Sequence, residues 1–160
     1  PTLLTSVAGV AELLEHLEVL ALGNGDTRVH FAILGDFADA DAAEMPGDAT
    51  LLEAVRAGIE DLNQRVGRDR GDLFHFFHRV RQWNPGEGSW MGWERKRGKL
   101  EEFNRLLRGA TDTSYAVHVG EPAILAVLPS DAGEAAIAAY RGLLKGWQSD
   151  AHRITVVLDS

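Results

Sequence analysis

The chain has 160 residues, 45% of them hydrophobic and 25% charged, with a formal net charge of −8 and no cysteine. That length suits a single domain, residues 1–160, with room for one core. The acidic balance argues against general attraction to nucleic acid. The lack of cysteine excludes disulfides, thiolate chemistry and cysteine-ligated zinc. No apolar run reaches the length that spans a bilayer. The chain opens on Pro1 and closes inside an apolar run, so we expect a piece of a longer polypeptide.

Val7, Val10, Leu13, Leu14, Leu17 and Leu20 keep helical spacing, with Thr5 or Ser6 as the N-cap and Gly23-Asn24-Gly25-Asp26 as the stop. Val29 to Leu34 reads as a mostly buried strand ending at Gly35-Asp36. Met45-Pro46-Gly47 marks a turn. A second helix follows through Leu51, Leu52, Val55, Ile59 and Leu62, with Thr50 and Glu53 placed for a capping box. Leu73 to Val80 is aromatic and bounded by turn signals, which predicts a strand. A long tryptophan-bearing loop comes next, then a third helix from about Glu94 to Arg108. Tyr115–Val119 and Ile124–Leu128 read as short strands, Ala132 to Trp147 as a fourth helix and Ile154–Leu158 as a last strand. Helices alternating with short apolar strands indicate an α/β, Rossmann-like fold with a mostly parallel sheet flanked by helices. Ligands of such sheets collect at the carboxyl ends of the strands. Asp36, the Arg79–Trp93 segment and Asp159 all fall at predicted strand ends, so they are expected on one rim.

The segment Gln82 to Lys99 is the most informative in the chain. It holds three tryptophans, four bases, two acids and four glycines in eighteen residues. Between Arg79 and Arg108 bases outnumber acids two to one inside an acidic chain. A local cationic patch of this kind suits a small anionic ligand better than a polyanion. Arg95, Lys96, Arg97 and Lys99 stand near a helix N-terminus, where each cation opposes the macrodipole unless an anion compensates. A diphosphate contact accounts for them; a solvated helix start is the alternative. Trp83, Trp90 and Trp93 either stack on a sugar or base, or pin the loop as a small aromatic core. Asp36 is placed to accept hydrogen bonds from a base or ribose hydroxyl, or to form a turn. His75 and His78, three apart on a strand, point to opposite faces; two histidines are also an incomplete ligand set, so a structural role is expected of them.

Three stretches carry a resemblance: Arg79-Val80-Arg81-Gln82-Trp83-Asn84-Pro85, Glu94-Arg95-Lys96-Arg97-Gly98-Lys99-Leu100 and Asn104-Arg105-Leu106-Leu107-Arg108-Gly109. Together with Pro1 to Ser6, Glu12 to Glu18 and Phe31 to Phe37, they resemble the glycosyltransferase domain of bacterial cyclic β-1,2-glucan synthases. The resemblance covers roughly residues 1–120, and 121–160 diverge from the pattern. It implies a nucleotide-sugar transferase that takes glucose from UDP-glucose and extends a growing β-1,2-glucan. It also implies a metal, Mg²⁺ or Mn²⁺, and a setting within a large bacterial inner-membrane polypeptide at its cytoplasmic face. Residue by residue, Pro1-Thr2 matches the turn beneath the nucleotide and Asp36 reads the nucleoside. Lys99, Asn104 and the neighbouring Arg95 and Arg97 lie toward the diphosphate, and Trp90 or Trp93 borders the glucose. Asp159 matches the first metal-binding aspartate, although the chain stops one residue later. The catalytic base has no counterpart, so the piece alone is not expected to transfer glucose. Two other readings stand beside the enzyme: a non-catalytic nucleotide- or glucan-binding module, and a structural interdomain piece whose tryptophan segment is a contact surface.

Overall fold

The computed structural model of the chain describes residues 2–24, 29–67, 72–108, 110–120 and 153–154. Seven strands and three helices fall among them: β1 Thr2–Leu4, α1 Val7–Leu22, β2 Val29–Phe37, α2 Asp48–Val66, β3 Phe74–Arg79, β4 Gln82–Asn84, β5 Ser89–Met91, α3 Arg95–Leu107, β6 Tyr115–Val119 and β7 Arg153–Ile154. The main sheet runs β1-β2-β3-β6, with β7 also paired to β2. β1, β3 and β7 lie parallel to β2, and β6 runs antiparallel to β3. The architecture is α/β, a mostly parallel sheet with helices on both faces. Among the described residues no helix is long and apolar enough to cross a membrane.

The faces follow from the two-residue period of a strand. Val29, Phe31, Ile33 and Phe37 of β2, with Phe74 and Phe76 of β3, pack on Val10 and Leu17 of α1 and on Val55, Ile59 and Leu62 of α2. Leu34 and Phe77, one residue out of phase, pack instead on Phe103 of α3. His75 and His78 separate in the same way. The His75 ring lies 2.9 Å from the His30 ring and stacks toward His118, while the His78 ring meets the edge of Phe37.

Four expectations are corrected in detail. β2 runs on to Phe37, so Asp36 lies inside a strand, opposite Leu3 of β1. Gly35 permits this extension, because a Cβ there would stand 2.9 Å from the Phe76 ring and 3.2 Å from that of His78. Thr2, expected in a turn, is the first paired residue of β1, opposite Gly35. The capping box of Thr50 does not form. α2 starts earlier, after Gly47 at φ +99°, and the Asp48 carboxylate accepts the Met45 N–H at 2.8 Å. The tryptophan segment contains a β-hairpin, with Trp83 opposite Trp90 across β4 and β5. Ser6 caps α1 as expected, accepting the Gly9 N–H at 3.0 Å. The predicted strand 124–128 and helix 132–147 lie outside the described residues, and of the last predicted strand only Ile154 lies within them.

Candidate functional site

β2 and β3 end side by side, and their last α3-facing residues are an acid and a base. Asp36 Oδ1 and Oδ2 each accept a hydrogen bond from Arg79, from Nε and Nη2, at 2.8 Å. Lys99, one turn into α3, reaches the same carboxylate at 2.9 Å and donates to the Thr2 carbonyl at 2.7 Å. Arg79 also donates to the Trp93 carbonyl at 3.1 Å and to Glu102 at 3.3 Å. Glu102 in turn accepts the Ser114 N–H, the Ser114 hydroxyl and the Thr113 hydroxyl. One ionic cluster thus joins β1, β2, β3, α3, the end of the hairpin and the entry to β6.

The cluster is closed to solvent: Asp36 is 2% exposed and Lys99 3%. Gly92 forms part of the cover, since a Cβ on it would stand 2.8 Å from Arg79 Nη2 and 2.9 Å from the Asp36 carboxyl carbon. Burial works against the Arg79 charge, but Asp36 and Glu102 outweigh it and hold its pKa above the usual arginine value. Burial lowers the pKa of Lys99 despite the opposing pull of Asp36. Burial raises that of Glu102, yet its hydrogen bonds from Ser114, Thr113 and Arg79 prevail and hold it low. The bidentate geometry of Arg79 is that of a strong charge-assisted pair.

Of the residues expected at the site, Thr2, Asp36 and Lys99 are in direct contact. The Arg95 side chain lies outside the cluster, paired with Asp39, although its carbonyl accepts from Arg79 Nη2 at 3.3 Å, and both Glu94 and Arg95 take left-handed φ values, +44° and +30°. The Arg97 side chain is 82% exposed, its nearest acids Glu94 and Glu101 at 3.9 and 4.0 Å. No acid stands in the first turn of α3, so its exposed cations oppose the dipole there. Asn104 is half-buried further along the helix. Trp90 is half-buried, and its backbone exchanges hydrogen bonds with Ala40. Trp93 is exposed. Asp159 lies outside the described residues. Among the described residues no group of three or more His, Asp or Glu side chains is arranged to hold a metal.

Sequence reasoning gave no role to Arg79, Arg81 or Glu102. The available signal was an arginine closing the wholly buried run Phe74 to Arg79, because a charge in such a run needs a buried partner. Arg81 is also buried; it pairs with Asp48 at 2.6 Å, donates to the Ala38 carbonyl at 2.7 Å and sits 4.6 Å over the Phe37 ring. These contacts wall a cleft of about 450 Å³ at the carboxyl edge of β1 and β2, lined also by Thr5 and Ser6 at the start of α1 and by Gly47 at the start of α2. Two helix N-termini therefore open on the edge where parallel sheets hold ligands.

No protein-family model matches the chain. It is 45% identical over 115 residues to cyclic beta-(1,2)-glucan synthase NdvB of Rhizobium meliloti (strain 1021); the match takes in 72% of this chain and 4% of that protein. The chain is thus related in sequence to a small part of that synthase.

Proposed function

We propose that the chain forms the nucleotide-sugar half of a glucosyltransferase that draws on UDP-glucose to build cyclic β-1,2-glucan. The observation that carries this reading is the 45% identity to the synthase; a parallel sheet whose carboxyl edge opens between two helix N-termini supports it. In this reading the nucleoside enters the β1/β2 cleft. Arg95, tied to Asp39 beside the cleft wall, and the exposed Arg97 face the diphosphate. Trp90 or Trp93 borders the glucose. Asp36 and Lys99 lie outside the cleft lining, on the α3 face of the sheet beneath Gly92, and hold β1, β2 and α3 in register behind the site. Thr2 and Asn104 support the donor from β1 and α3. The metal, Mg²⁺ or Mn²⁺, would be held by Asp159, neutralising diphosphate charge. Attack on the α-linked donor with β-linked product implies inversion. The parent would be a larger inner-membrane polypeptide with this domain at the cytoplasmic face.

Calorimetric titration of UDP and UDP-glucose, with and without Mn²⁺, tests the reading. Saturable binding is expected, weakened about tenfold in Arg97→Ala, where one charge-assisted contact is lost and folding is untouched. Titrations that stay flat in the chain and in a longer piece of its parent would refute it. A second reading is favoured by the near-complete burial of Asp36 and Lys99, which is what a purely structural clamp requires. There the domain holds glucan or a neighbouring domain without turnover, and nucleotide does not bind.

A further inference from the structure

A second opening of about 420 Å³ lies between α3 and the segment leading into β6, with Trp93 and Gln82 of the hairpin region on its wall. Its volume falls within the roughly 300–1,000 Å³ of ordinary small-molecule sites. Trp93 is 51% exposed, yet its backbone is tied down and its ring is packed on Gly98. Its carbonyl accepts the Arg79 N–H, and its Cε3 lies 2.7 Å from where a Cβ on Gly98 would stand. Any side chain at position 98 would push the ring off the first turn of α3. An indole held in place on a half-exposed residue is a preorganised flat apolar platform.

The polar side of the opening is divided between fixed and unengaged groups. Glu102 is committed to Ser114, Thr113 and Arg79, and Arg105 to Asp112. Among the described residues Glu101 has only Arg97, at 4.0 Å. The Gln82 amide and the Thr111 hydroxyl, both exposed, make no hydrogen bond within the described residues. Glu101, Gln82 and Thr111 thus offer donors and acceptors around a flat ring. The lining acids Glu101, Glu102 and Asp112 outnumber the single base Arg105, a balance that repels a phosphate. Charge, shape and hydrogen-bonding capacity together select a neutral, hydroxyl-rich ligand with one apolar face.

We infer that this opening is a saccharide subsite, separate from the β1/β2 cleft, in which a glucose ring of a β-linked glucan lies on Trp93 and hydrogen-bonds Gln82 and Glu101. That the sugar is glucan rests on the function proposed above; that it is a neutral sugar rests on the site itself.

The test follows the indole N–H resonance of Trp93 by NMR in the ¹⁵N-labelled chain, during titration with a β-1,2-linked glucose disaccharide and, separately, with UDP. The resonance is expected to shift saturably with the disaccharide and not with UDP. Gln82→Ala and Glu101→Gln, which alter exposed side chains outside the core, should each weaken the effect about tenfold. Trp93→Ala should abolish binding; if that variant does not fold, the other two decide. A resonance that stays still, or a shift that both surface variants leave unchanged, would overturn the inference. UDP-glucose binding without the disaccharide response would overturn this subsite and leave the donor reading standing. The disaccharide response without UDP binding would do the reverse.

Discussion

The two faces of the sheet are held by different physics. On the α1/α2 face Phe31, Ile33, Phe74 and Phe76 meet Val55, Ile59 and Leu62, and adhesion comes from apolar area removed from water. On the α3 face the apolar contact shrinks to Leu34, Phe77 and Phe103 with a few half-buried neighbours. The helix is fastened there by Asp36, Arg79, Lys99 and Glu102 instead. Burying four charges costs several kcal/mol of desolvation per ion unless each finds its partners. The first face tolerates small errors of packing, whereas the second depends on every member being present.

The sharpest way to break the comparison is Arg79→Ala, which leaves the Asp36 carboxylate buried with half its partners. Loss of about 3–5 kcal/mol is expected, read from the midpoint of urea unfolding. The combined change Asp36→Leu, Arg79→Met, Lys99→Met and Glu102→Gln should recover most of that loss, because no buried charge is then stranded. A loss below about 1 kcal/mol in Arg79→Ala would mean the pair is solvated, as at a surface.

Acid should come next in size. Burial first pushes His75 and His78 from 6.5 down to about 4; the neighbouring His30 and His118 rings add to it at His75, while at His78 burial, helped by Lys99, prevails over the opposing pull of Asp36. Between those values the unfolded chain binds more protons than the folded one, so stability is full above about pH 6.5 and falls toward pH 4. Each ring accounts for up to about 3 kcal/mol at the acid end. Glu102, whose folded pKa is lowered, adds its own loss as pH falls below its ordinary value of 4.5. Thermal unfolding at pH 7, 5.5 and 4 should show the decline, with a shallower slope in His78→Phe. A flat profile down to pH 4 would contradict the burial of both rings.

The smallest effect belongs to the apolar face. Ile59→Val should cost about 0.5–1.5 kcal/mol, unchanged by salt, whereas the Arg79 loss should vary with pH through its acidic partners.

The contrast also explains what could be read from the residues. The period of Val10, Leu17, Val55 and Ile59 gives α1 and α2 without further information, and the run Phe74 to Arg79 gives β3. The α3 face hides its logic, because Asp36, Arg79 and Lys99 are far apart in the chain and only the β2–β3 register unites them. Lys99 and Asp36 stand out in the sequence as candidate ligand contacts, but their burial against each other has no local signal, since four bases in one segment look like surface. The β4–β5 hairpin escaped because each strand is three residues long and its turn, Pro85 to Gly88, has the composition of a loop. Neither the antiparallel direction of β6 nor the extension of β2 through Gly35 has a local signature; both depend on neighbours such as Phe76 and His78.

The donor site itself is tested most directly by a crystal structure of the chain with UDP-glucose. The account predicts uridine in the cleft between Ser6 and Gly47 and the diphosphate beside Arg95. An empty cleft at saturating UDP-glucose would contradict it.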